Sequence, residues 1–186
     1  MLSTEIAYNR LVMQINRLAI LGLATLGLAG AANAQIAISA GIYSANDSAV
    51  RSVFGSNAFA WGIGLGRADR EGRAGAGFDF VGLSMSAPGN RFQTLGATYG
   101  FEVQRGNDSN AMTFFRANAG IAFYDFSLSA PLTPAVDRYF RPITTLEAGV
   151  VLSKRFTVSA QYLLMPDAGN LNFSGFRIQA LFSLMK

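Results

Sequence analysis

The chain contains no cysteine and no histidine, and charged residues make up only 14% of its 186 positions. Without cysteine there is no disulfide framework and no thiolate to ligate a metal or attack a substrate. Without histidine the usual general base and metal ligand at neutral pH are missing, which removes a large part of hydrolase and metalloenzyme chemistry. Lysine is nearly absent too, occurring at Lys154 and Lys186, so the cationic charge is mostly arginine. The formal charge is +4. Such a weak excess is not that of a nucleic-acid binder. Hydrophobic residues make up 51% of the chain, too many for a disordered one.

What is present is alternation. Across residues 144–164, Thr144, Leu146, Ala148, Val150 and Leu152 share one face, opposite Thr145, Glu147, Gly149 and Val151. After the turn Ser153-Lys154-Arg155, Phe156, Val158, Ala160, Tyr162 and Leu164 oppose Thr157, Ser159, Gln161 and Leu163. Period 2 on both sides of a short turn predicts a β-hairpin with one apolar and one polar face.

The first segment differs. Arg10 and Arg17 precede an apolar run over 18–32, and Ala32-Asn33-Ala34 supplies the small residues of a cleavage site before Gln35. This is the three-part pattern of a secretory signal peptide, with Met13 as an alternative start. A run of about 15 apolar residues falls short of the ~20 a spanning helix needs. The expected division is therefore a signal peptide over 1–34, cut between Ala34 and Gln35, and one domain over 35–186. Removing Arg10, Arg17 and Glu5 leaves 13 basic against 10 acidic residues, 13 − 10 = +3.

In the exported part, strands are expected at 36–43, 58–67, 73–85, 91–104, 111–126, 144–152, 156–164 and 176–184. No helix is expected. The second strand sets Phe59, Trp61, Ile63 and Leu65 against Ala58, Ala60, Gly62, Gly64 and Gly66, a face with almost no side chain that suits a narrow barrel interior. The third, with Phe78 and Phe80 opposite Asp79, Val81 and Leu83, does not reveal which side faces out. The odd-numbered connections run about 14, 5, 13 and 7 residues and the even ones about 3 to 6, the asymmetry of outer-membrane barrels with the N-terminus on the inner side.

The faces separate two kinds of protein. A soluble barrel needs Lys and Glu on its outer face. Here the wetter face is Gly, Ala, Thr, Ser and Asn with isolated Glu102, Arg116, Glu147 and Arg177. That set, with Asn118 and Gln161, fits an interior polar network. The apolar face bears Trp61, Tyr99, Phe101, Phe115, Phe123, Phe156, Tyr162, Phe176 and Phe182. Several of these bracket alanine or valine, as Phe115 and Phe123 bracket Ala117 and Ala119, and aromatic rings settle at both interfaces of a bilayer.

By these eight alternating segments, the leader ending Ala32-Asn33-Ala34 and the final strand, the chain resembles the small eight-stranded bacterial outer-membrane barrels of the OmpA and OmpX type. The resemblance implies an all-β, eight-stranded antiparallel up-and-down transmembrane barrel in the outer membrane of a Gram-negative-type bacterium. It also implies contact with outer-membrane lipid, insertion by the barrel assembly machinery and an extracellular partner for the loops. In that family the last strand ends in an aromatic residue, whereas this chain ends Phe182-Ser183-Leu184-Met185-Lys186. Some members are enzymes that rely on histidine beside serine or aspartate. This chain has no histidine to activate Ser159 or another hydroxyl, so no catalytic or metal-binding residue and no cofactor is expected. The expected role is structural or surface-interactive. The alternative is a secreted, lipocalin-like barrel with an apolar ligand inside.

Overall fold

Alternation becomes inward and outward pointing once the strands close on themselves. A computed structural model describes residues 36–66, 74–106, 112–129, 135–153 and 155–184. The strands are β1 (Ile36–Ala45), β2 (Ala58–Leu65), β3 (Ala74–Ala87), β4 (Asn90–Arg105), β5 (Met112–Leu128), β6 (Ala135–Val151), β7 (Phe156–Leu164) and β8 (Gly175–Ser183). Each pairs antiparallel with the next, and β8 returns to β1 from Ala37↔Ser183 to Ala45↔Gly175, giving a closed barrel. Closure satisfies the ladder groups that an open sheet would leave at its edges.

The apolar rows point outward. Exposed large hydrophobic side chains come from every strand, among them Ile38, Phe59, Phe78, Leu95, Ile121, Leu146, Val158 and Ile178. The apolar set thus lines the outside and not a lipocalin-like calyx. Register settles the third strand. Pairing Ile63↔Phe80 and Gly64↔Asp79 places Phe78 and Phe80 outside, and Asp79, Val81, Leu83 and Met85 inside.

Several expected boundaries need correction. The stretch after β1 is not all loop but holds a short helix, α1 (Ser48–Phe54). Asp47 caps it by accepting from Ala49 N at 2.8 Å, and Gly55, at φ 87°, ends it. The stretch between the expected strands 111–126 and 144–152 holds strand as well: β5 runs on to Leu128 and β6 begins at Ala135, nine residues before 144. Tyr124, Phe126 and Tyr139 pack inside and stabilise this extension in spite of Pro142. Connection lengths change accordingly. The odd ones become 12, 2, 6 and 10 residues and the even ones 8, 6 and 4, so the asymmetry is weak. The β3–β4 turn is only Pro88-Gly89, where proline presets one φ and Gly89 takes φ 73°, as a type II turn requires.

Strand lengths are uneven. β2 pairs with β3 only as far as Leu83, and β7 with β6 only as far as Leu164↔Thr144. The far ends of β3 to β6 therefore stand beyond their neighbours as a raised four-stranded wall on the side opposite the N-terminus.

Candidate functional site

The site is the barrel interior, which divides into a polar half and an apolar half. In the polar half one row of directly opposed positions crosses five strands: Glu102↔Arg116, Arg116↔Glu147, Glu147↔Gln161 and Gln161↔Arg177. All five side chains are buried. Each sits at an inward position of a period-2 strand, so register alone brings them together.

Arg116 is the centre. Its Nε donates to Glu102 Oε2 at 2.9 Å and its Nη2 to the same oxygen, while Nη1 donates to Glu147 Oε2 at 2.9 Å and to Asp79 Oδ2 at 3.3 Å. One guanidinium therefore serves three carboxylates, which its planar fork of donors permits. The carboxylates have further donors. Gln104 Nε2 reaches Glu102 Oε1 at 2.6 Å, Asn118 Nδ2 reaches Asp79 Oδ2 at 2.8 Å, and Ser159 Oγ and Gln179 Nε2 reach Glu147 Oε1 at 2.6 and 2.9 Å. Arg177 lies apart from this knot, donating to Ser39 Oγ at 2.7 Å and to Gln161 Oε1 at 3.4 Å. β2 contributes space. A Cβ on Gly62 would come within 2.8 Å of Ser39 Oγ and 3.5 Å of Arg177 Nη1.

Of the residues named from sequence, Glu102, Arg116, Asn118 and Glu147 share this knot, and Gln161 and Arg177 adjoin it. Asp79, Ser39, Gln179 and Thr145 were missed. Asp79 carried a readable signal, a lone acid between two outward phenylalanines, but the orientation of its strand could not be read.

The other half is apolar, which the alternation did not foretell. Tyr43, Leu83, Met85, Phe92, Tyr124, Phe126, Leu163, Met165 and Phe173 form one buried cluster there, with Val50 of α1. Phe173 comes from the β7–β8 connection and stacks on Phe92 with centroids 3.7 Å apart and planes 7° from parallel. That connection folds inward through the tight turn Ala168↔Leu171, where Gly169 and Asn170 both take positive φ. Tyr43 hydroxyl donates to Phe173 carbonyl, Asn46 N to Ser174 carbonyl at 2.8 Å, and Asn172 N to Asp47 Oδ2 at 3.1 Å. Helix and connection thus form one stopper over the mouth. A small polar pocket beneath it is lined by Ser39, Asp79, Arg116, Glu147, Gln161 and Arg177.

Outside, Trp61, Tyr99, Phe101, Phe115, Phe156, Phe176 and Phe182 are exposed. Phe123 and Tyr162 are half-buried because each has a ring beside it: Phe140 at 5.2 Å and Phe176 at 4.8 Å between centroids. The expected cleavage site at Ala34 and Gln35 and the terminal Lys186 lie outside the described residues. So do Arg67, Arg70, Arg73 and Lys154.

No protein-family model and no curated protein matches the chain. Solved structures do match in fold. Neisserial surface protein A superposes with a TM-score of 0.60 at 11% identity, over 81% of this chain and 97% of that one. The outer membrane enzyme PagL gives 0.51 at 16% identity, over 81% and 99%. Ail, the attachment invasion locus protein of Yersinia pestis, gives 0.51 at 14% identity, over 81% and 96%. The fold is that of the small eight-stranded outer-membrane β-barrels.

Proposed function

We propose that this chain is an outer-membrane barrel with a structural or surface-interactive role, neither a diffusion pore nor an enzyme. The observation that carries this reading is the combination of an apolar exterior contributed by all eight strands with an interior filled from side to side. An apolar exterior of that extent fits hydrocarbon and not water. An eight-stranded barrel is just wide enough for side chains to fill, and here ion pairs occupy one half and an aromatic stopper the other. PagL shows that such a barrel can carry an enzyme, but the serine that meets a carboxylate among the described residues is Ser159, whose hydroxyl donates to a Glu147 already held by Arg116. A free nucleophile requires a base able to take its proton.

In the same reading residues 1–34 are removed on export, the barrel assembly machinery inserts residues 35–186, and the raised wall of β3 to β6 faces outward towards an extracellular partner. The experiment is fractionation of cells expressing the full chain, followed by gel mobility with and without boiling and by conductance in planar bilayers. The expected result is an outer-membrane protein beginning at Gln35, with a heat-shifted folded band and no steady pore current. A soluble protein, or porin-sized currents, overturns the proposal.

A further inference from the structure

Resting on the outer-membrane reading, we infer that the outer face of the β4–β5–β6 wall binds the phosphate-bearing headgroup of an outer-leaflet lipid between Arg91 and Arg138. Asp125 points outward from β5, directly opposite Gln93 on one side and Arg138 on the other, with Arg91 two residues along β4. Arg91 Nη2 and Arg138 Nε reach the same oxygen, Asp125 Oδ1, at 3.1 and 3.2 Å. Two cations converge on one anion, so these three side chains sum to +1; Asp137, which accepts from Arg138 N at 2.7 Å, belongs to the other face of β6.

The triad does little for the barrel itself. Both arginine side chains are about half exposed (47% and 50%), and exposed ion pairs contribute about 0–1 kcal/mol. What the carboxylate does is fix two guanidinium groups side by side. Among the described residues, Arg138 keeps both Nη groups and Arg91 keeps Nε and Nη1 without a protein acceptor. Paired, preorganised guanidinium groups are the usual recognition element for phosphate oxygens.

The neighbouring rows say which phosphate. Two residues towards the barrel middle, roughly 7 Å along the strands, the outward row is Leu95, Phe123 and Phe140, and the next is Ala97, Ile121 and Pro142. Along one strip of surface the order is cation, aromatic, aliphatic. That is the order in which a membrane lipid presents phosphate, interfacial region and acyl chain. A free phosphate or an acidic protein uses only the first of the three rows. Arg141 does not belong to the site, because it lies on the other face of β6 over the Tyr139 ring, 4.4 Å from its centroid.

The test uses protein purified from the membranes of expressing cells and exchanged into phosphatidylcholine nanodiscs. Native mass spectrometry then compares retention of diphosphorylated lipid A with that of the same lipid after removal of its phosphates. The expected preference for the phosphorylated form is about tenfold, what two arginines at an anionic headgroup supply. It should vanish in R91Q/R138Q and increase in D125N, which keeps both cations and removes the competing anion. Equal retention of the two lipids, a preference that survives R91Q/R138Q, or displacement by inorganic phosphate at the same concentration overturns the inference. A chain that never inserts into nanodiscs overturns the outer-membrane reading as well, whereas an inserted, heat-shifted barrel without the preference overturns only this site.

Discussion

Replacing Arg116 by methionine removes the cation that, among the described residues, Glu102, Glu147 and Asp79 share. Deleting one partner of a buried ion pair costs about 3–5 kcal/mol, because the other charge stays buried and unpaired. Two features set the value here. Each carboxylate retains another donor: Gln104 for Glu102, Ser159 and Gln179 for Glu147, and Asn118 for Asp79. Arg177, held by Ser39 and Gln161, makes no ion pair among the described residues that could compensate. The expected loss is therefore at the lower end, about 3 kcal/mol. The assay is urea unfolding of the barrel in lipid vesicles, followed by emission of Trp61, the chain's single tryptophan, and by the heat-shifted gel band. The decisive arm is rescue: E102Q and E147Q added to R116M remove two of the three carboxylate charges that Arg116 faced and should restore at least about half of the loss. A loss under about 1 kcal/mol for R116M, or no recovery in the triple variant, would refute the account of Arg116 as the hub.

Three more outcomes follow from the packing. Ala119 and Ala160 point outward in the apolar band, so A119R and A160R should each destabilise the barrel in vesicles by about 2–4 kcal/mol, whereas a positive charge that leaves stability unchanged would mean the face is not lipid-bound. Phe173→Ala removes the ring stacked on Phe92 and should cost about 3–5 kcal/mol; single-channel recording should show brief openings absent from the parent, and a variant as stable as the parent would deny the stopper its role. Trp61 lies across Gly82 on the outer surface, where a Cβ would come within 2.5 Å of its Cζ2 and Nε1, so G82V should displace the indole and shift its emission maximum; an unchanged spectrum would place the ring elsewhere.

How legible the polar network was depends on what kind of information placed each residue. Glu102, Arg116, Glu147, Gln161 and Arg177 could be read because each is a polar residue on the small-residue face of a strand with clean alternation, and a barrel has only one inside. Asp79 could not, because Phe78 and Phe80 on one side and Val81 and Leu83 on the other are equally apolar. Its direction comes from pairing with β2. The apolar half escaped for a related reason. Phe92, Tyr124 and Phe126 sit in rows that also hold Thr94, Gly96, Glu102, Arg116, Asn118 and Gly120, and only the barrel shows that these rings meet at one end. Phe173 lies in a connection with no periodicity at all, and its place beneath α1 depends on contacts from Tyr43, Asn46 and Asp47, more than 120 residues away.

By itself the sequence determined that the chain forms strands, that there are eight, and which side chains share a face, because period 2 is a local property of the backbone. It also determined the chemistry on offer, since absent histidine and cysteine cannot be supplied by folding. The tertiary structure alone decided register, and with it that one arginine faces three carboxylates and that Asp125 stands between two arginines. Such pairings join residues far apart in the chain, where a slip of one position would turn every side chain to the opposite face.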